Sequence, residues 1–261
     1  MRQYIAQSEP DKNGCLSIAS TDEKYLTKVL RMKEGSSVDV RHLNGQIDTM
    51  KLEKKAGSWI LVPAGALGSS ESGVKACELC TPLFDFILIQ FLPKIQKMDQ
   101  IVRQSAECGI KEIYPAVSEY TPVKENSERT ERWDRIIKEA RQQSGSSIPT
   151  SIRSADSLEG ILAKLKKEET AETVYIVLTE ISDESESIYS IIGNRSGKER
   201  IVLAVGCEGG FSGNEMSMLK NAGFKPLHLK TNVLRAETAA VYGIAVIQNA
   251  VMEKKAWREQ E

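Results

Sequence analysis

The chain has 261 residues, 41% of them hydrophobic and 27% charged, with a net charge of −1. That is the composition of an ordinary globular protein with one large or two modest cores; no apolar run approaches the roughly 20 residues of a membrane-crossing helix, and without a signal-peptide core the expected location is the cytoplasm. The near-zero charge also excludes the uniformly basic domain that usually marks nucleic-acid binding, so any RNA contact must rest on cations gathered on one face.

In chain order, residues 1–72 read as short β segments interrupted by one helix, with ten Lys and Arg against nine Asp and Glu. Ser20 and Glu23 have capping-box spacing, and Leu26, Val29 and Leu30 then fall on a buried side. Lys24, Lys28 and Arg31, spaced by four and three, share one helix side; they are the candidate RNA-facing cations, an ordinary solvated face being the alternative. Asn44-Gly45, between runs at 37–43 and 46–52, is a strong hairpin signal because such turns need positive φ. A further strand at 58–62 completes the pattern of a small β-barrel with one helix.

Residues 68–73, Gly-Ser-Ser-Glu-Ser-Gly, have linker composition and place the domain boundary between 72 and 73. Beyond it, strand-like runs at 84–91, 113–117, 174–178, 201–205 and 224–229 alternate with helical patterns at 96–108, 129–143 and 156–167, the last opened by Asp156 and Glu159 in capping-box spacing. Such alternation predicts a mostly parallel sheet covered by helices over 73–261. The cysteines Cys15, Cys77, Cys80, Cys108 and Cys207 are odd in number and scattered, against a disulfide framework. Cys77 and Cys80 lack a second pair or a nearby histidine, so no metal is expected.

The apolar run 201–205 leads into Gly206-Cys207-Glu208-Gly209-Gly210-Phe211-Ser212. Glycine has no Cβ, so such a turn brings bare backbone N–H groups to a rim that a ligand can approach. Ser212 and Glu215 form a capping box, Met216 and Leu219 follow at helical spacing, and Gly223 caps the end. A second loop, 230–235, opens a long helix near Glu237. Two loops thus leave successive strands at the edge where open α/β sheets bind ligands. Neither G-x-G-x-x-G nor the phosphate loop is present, and on spacing alone a tight turn that binds nothing is an equal reading. The helix over 239–252 is apolar on nearly every side, which predicts burial all round, by a partner subunit as much as by the chain's own core.

The run Val205 to Ser212, then Glu215, Ala222-Gly223-Phe224 and Leu234-Arg235-Ala236-Glu237-Thr238-Ala239, closely resembles the RsmE family of 16S ribosomal RNA uridine N3-methyltransferases. Supporting matches include Leu26, Val29-Leu30-Arg31, Pro93-Lys94, Met98-Asp99, Glu107, Gly109, Pro115, Arg132-Trp133, Gln143-Ser144 and Pro149. The resemblance implies an α/β fold of the SPOUT class, a trefoil-knotted parallel sheet with helices on both faces, preceded by a PUA-like β-barrel. It also implies a homodimer and S-adenosylmethionine as methyl donor. Departures fall at Tyr120, Gln104 and Gly145-Ser146-Ser147, where the family usually carries cations, at Cys207 in place of proline, and at Lys230-Thr231-Asn232 in place of Gly-Pro-Arg.

By the same resemblance Leu178, Gly206, Glu208, Gly209, Gly210, Leu229, Asn232, Leu234, Arg235 and Thr238 form the cofactor site, and Lys94 joins Lys24, Lys28 and Arg31 on the RNA. Removing the weakly acidic N3 proton of uracil puts negative charge on O2 and O4. Arg235 is the candidate to stabilise it; binding a phosphate, or pairing with a carboxylate, are its alternatives. Glu208 or Glu237 can accept the proton, directly or through water. Equally, Glu237 can complement a helix dipole and Glu208 can brace its loop. Two other functions fit the same motifs: a non-catalytic RNA-binding or assembly protein, and methyl transfer to a tRNA base or a ribose 2′-hydroxyl.

Overall fold

The computed structural model describes residues 3–55, 57–64, 84–121, 127–169, 173–181, 185–193 and 200–258. The expected boundary at 72/73 and the pair Cys77 and Cys80 lie outside the described residues. The chain divides into two compact units, Met1–Cys80 with Arg141–Ser147, and Thr81–Ala140 with Ile148–Glu261.

In the first unit, β1 (Gln3–Ile5), β2 (Leu16–Ser17), β3 (Ser37–Arg41), β4 (Ile47–Lys55) and β5 (Ser58–Pro63) form one sheet in the order β1-β3-β4-β5-β2. Only the β1–β3 pair is parallel. Met50 and Leu52 alternate with exposed neighbours along β4 and meet Tyr4, Leu16, Leu26, Val40 and Leu61 in a separate core. The hairpin turns at Gly45, φ +86°, as its Asn-Gly signal requires.

Helix α1 (Ser20–Lys24) widens into a π-helical turn over Tyr25–Val29, where Leu30 N donates to Tyr25 O. The Ser20–Glu23 capping box does not form, because Ser20 is already helical and Ala19 is the N-cap, with no side-chain bond. Arg31 lies past the helix in the left-handed region, φ +54°. The expected three-cation helix side therefore reduces to Lys24 and Lys28, both exposed.

The second unit carries β6 (Asp85–Phe91), β7 (Glu112–Val117), β8 (Ser151–Ile152), β9 (Asp156–Ser157), β10 (Thr173–Thr179), β11 (Arg200–Val205) and β12 (Lys225–His228). The order is β12-β10-β11-β6-β7-β8, with β9 also on β7, and every pair is parallel. Strand periodicity of two sends alternate residues to opposite faces. Phe86, Leu88, Ile176, Ile201 and Leu203 pack on one face with α2 (Ile95–Glu107), α3 (Ser127–Ser144), α5 (Ile188–Ile192) and α7 (Ala236–Arg258). Ile87, Ile89, Val177, Val202 and Ala204 pack on the other with α4 (Leu158–Lys167) and α6 (Gly213–Asn221).

One further local expectation is corrected. Ser157, not Asp156, caps α4, accepting from Gly160 N, while Asp156 sits in β9 and pairs with Lys164 at 2.8 Å. Helix α7 is not covered all round by its own chain: Ala240, Ile244, Ile247 and Val251 are buried, whereas Thr238, Tyr242, Ala245 and Asn249 form an exposed stripe.

Candidate active site

β12, β10, β11 and β6 are successive parallel neighbours, so their C-terminal ends share one edge. Four segments arrive there: the start of α2, the end of β10 with residues 180–181, the glycine loop after β11, and residues 229–235 after β12. Together they enclose a cleft of about 520 Å³ with apolar walls from Leu178, Leu229, Leu234 and Ala239.

The three glycines of the first loop serve different needs. A Cβ on Gly206 would stand 3.0 Å from the Gly210 backbone, so the two arms of the turn close only because no side chain separates them. Gly209 is backed by Tyr120, whose ring a Cβ would meet at 3.2 Å. Gly210 has open space around it but φ of +70°, so there the requirement is conformational, not steric. Gln90, fully buried, donates to the carbonyls of Gly206 at 3.2 Å and Phe91 at 2.9 Å, which anchors the strand end. Behind the loop the capping box forms as read: Ser212 N donates to Glu215 Oε2 at 2.7 Å and Glu215 N to Ser212 Oγ at 3.2 Å. Burial pushes the Cys207 thiol above its ordinary pKa, which keeps it protonated and unreactive at neutral pH.

Electrostatically the site centres on Lys97 in the first turn of α2, a residue the motifs did not single out. Its Nζ lies 3.2 Å from Glu208 Oε1 and 3.4 Å from Glu237 Oε2. One ammonium thus joins the glycine loop to the start of α7. Burial works against ionisation of Glu208, but backbone N–H bonds, including Lys94 N at 3.3 Å, and the Lys97 charge outweigh it and hold the carboxyl below the ordinary range. Burial likewise opposes the Lys97 charge, and the two carboxylates outweigh that and raise its pKa. Glu237 Oε2 is buried and, although in ion-pair range of Lys97, accepts no hydrogen bond. Arg235 is exposed, lines the cleft, and makes no ion pair among the described residues.

Of the sequence-predicted cofactor residues, Leu178, Gly206, Glu208, Gly209, Gly210, Leu229, Asn232, Leu234 and Arg235 line this one cleft. Thr238 does not; it lies exposed on the outer face of α7. Lys94 is exposed beside the glycine loop. Lys97, His228 and Ile181 line the cleft without having been foreseen. The basic residue before Met98 was the one available signal for Lys97, and its partners are remote in sequence. No group of His, Cys, Asp and Glu able to hold a metal ion occurs among the described residues.

A parallel sheet in this strand order with helices on both faces, two loops lining a cleft at one edge and a separate small β-sheet unit is the architecture of the SPOUT class of methyltransferases. The RNA methyltransferase domain family matches residues 80–248. The chain is 31% identical over 251 residues to ribosomal RNA small subunit methyltransferase E of Aquifex aeolicus, covering 94% of this chain and 99% of that protein. It is 28% identical to the protein of the same name from Synechocystis, over 96% and 78% of the two chains. A crystal structure of that enzyme from Neisseria gonorrhoeae bound to S-adenosyl methionine superposes with a TM-score of 0.76 at 21% identity, over 95% and 97% of the chains. The chain belongs to the ribosomal RNA small subunit methyltransferase E family.

Proposed function

We propose that this RNA methyltransferase transfers the methyl group of S-adenosylmethionine to N3 of a uridine in small-subunit ribosomal RNA, working as a homodimer. The observation that carries the reading is the single cleft in which the glycine loop, the 229–235 loop and the Lys97 bridge converge. Its apolar walls and open backbone suit an adenosyl group, and a Cβ at Gly206 has no room. S-adenosylmethionine supplies a sulfonium-bound methyl group that is already strongly electrophilic, so the protein's work is to hold uracil N3 in line and manage its proton.

Arg235 suits the second task. Both candidate carboxylates are held by Lys97, which leaves the Arg235 guanidinium free to face uracil O2 or O4 as charge develops. Glu208, kept ionised by its loop and Lys97, is a weak base; with Glu237 it holds the lysine, and water takes the N3 proton. On the outside, the exposed stripe of α7 is the surface for a second copy, and Lys24, Lys28, Arg31 and Lys94 are exposed for RNA.

The test is to incubate the full chain with labelled S-adenosylmethionine and small ribosomal subunits from a strain lacking the enzyme, then separate the nucleosides. N3-methyluridine is the expected product. Label in another nucleoside would redirect the target, and cofactor binding without label in any RNA would leave a binding protein.

A further inference from the structure

Two arginines of the first unit, Arg41 and Arg141, lie close enough to repel each other and have no carboxylate partner among the described residues. Arg41, at the end of β3, is 8% exposed, and neutral acceptors alone hold it: Nε donates to Gln3 Oε1 at 3.2 Å, Nη1 to Gly45 O at 3.1 Å, and Nη2 to Gly145 O at 3.3 Å. Gln3 turns its other end to the same segment, Nε2 donating to Arg141 O at 3.2 Å. Arg141 is itself half-buried, and its Nε is buried with no hydrogen-bond partner. Neither guanidinium forms an ion pair with a carboxylate among the described residues.

This arrangement is unfavourable unless something negative completes it. Burial, and for Arg141 the neighbouring Arg41 charge, both work against the charged forms. An arginine stays charged at any ordinary pH, so the cost is not relieved by losing a proton. The carbonyl end of α3 offers only roughly half an elementary charge, less than two cations require. Arg41 has spent one donor on each nitrogen in fixing its own plane, whereas Arg141 leaves a buried Nε–H unpaired. A guanidinium presenting Nε–H and Nη–H side by side matches two oxygens of a phosphate.

We infer that Arg141, backed by the fixed charge of Arg41, is a phosphate-binding site of the first unit and takes a backbone phosphate of the RNA. The site deepens the proposed function and rests on it for the identity of the ligand. It also differs in kind from Lys24 and Lys28, which are exposed lysines whose charge is already hydrated.

Full-length wild type, R141Q and R141K are titrated with 16S ribosomal RNA over a range of KCl concentrations. R141Q should bind several-fold more weakly at low salt, and its salt slope should fall by roughly 0.7 to 0.9, the counterion release of one phosphate contact. R141K should restore the slope and only part of the affinity. Thermal unfolding separates this from helix capping: losing a repelling charge should leave R141Q at least as stable as wild type. A lower melting temperature with an unchanged slope means capping and overturns the site.

Crosslinking of wild type to RNA, read by peptide mass spectrometry, needs no variant. Adducts within Arg141–Ser147 support the site, and adducts confined to other segments overturn it. Wild type that binds RNA without yielding N3-methyluridine would sink the methylation reading while the slope still decides the arginine pair. Wild type that does not bind RNA sinks both.

Discussion

Arg235 lines the cleft and makes no ion pair among the described residues, while the nearby carboxylates are both engaged by Lys97. A charge aimed at uracil oxygens acts mainly in the transition state, so R235A should lower turnover by roughly two to three orders of magnitude, with modest loss of cofactor affinity. R235K should recover part of the rate. Steady-state kinetics that show unchanged turnover and weaker RNA binding would make Arg235 a phosphate clamp instead. Glu208 makes a second prediction through its pKa. A carboxyl held below its ordinary range stabilises the fold when ionised, and that contribution is lost as pH falls through the folded-state value. Wild type should therefore melt above E208Q at neutral pH, with the gap beginning to close near the ordinary glutamate pKa of about 4 and vanishing only below the lower folded-state value. A gap between the two that is the same at every pH would remove the charge from the explanation.

At the scale of elements, α7 reaches the cleft through Gly243. A Cβ there would meet Leu178 Cδ1 at 2.8 Å, and Leu178 is a wall of the cleft. The contacted atom is the tip of a flexible side chain, so G243A should push Leu178 aside without breaking the helix. The helix itself gains about 0.5–1 kcal/mol from replacing glycine, which offsets about 1–3 kcal/mol of overpacking. The expected outcome is a melting temperature within a few degrees of wild type with cofactor affinity reduced several-fold, measured by calorimetry. Unchanged affinity would mean that Leu178 yields away from the cleft. The glycine loop teaches the same lesson of position: Gly206 excludes a side chain by contact, whereas Gly210 needs only its backbone angle.

For the whole molecule, the exposed stripe of α7 decides how a dimer can be tested. Ile244 and Ile247 are fully buried in the chain's own core, so a charge there would unfold the protomer and report nothing on assembly. Tyr242 and Ala245 face outward. Sedimentation at micromolar concentration should show a dimer for wild type and a folded monomer for Y242E with A245E. A wild-type monomer with full activity would refute the shared assembly.

Strands, helices and both cleft loops were legible in the sequence because each rests on short-range causes. Hydrophobic periods of two and 3.6 set the elements, Asn44-Gly45 set a turn, and Ser212 with Glu215 set a helix start. Local signals failed where a neighbouring residue could do the same work, as when Ser157 took the cap read for Asp156. The carboxylate partners of Lys97 and the Arg41–Arg141 pairing had no local signal. Lys94 and Glu208, joined by one hydrogen bond, are 114 residues apart, and Arg41 and Gly145 are 104 apart. What the sequence determined by itself was the elements and the loop chemistry, since those follow from neighbours along the chain. Only the tertiary structure decided which charges meet: setting β11 beside β6 brings the glycine loop to Lys97, and returning 141–147 to the first unit brings two cations together. Coulomb interactions depend on distance in space, and that distance is fixed by strand order.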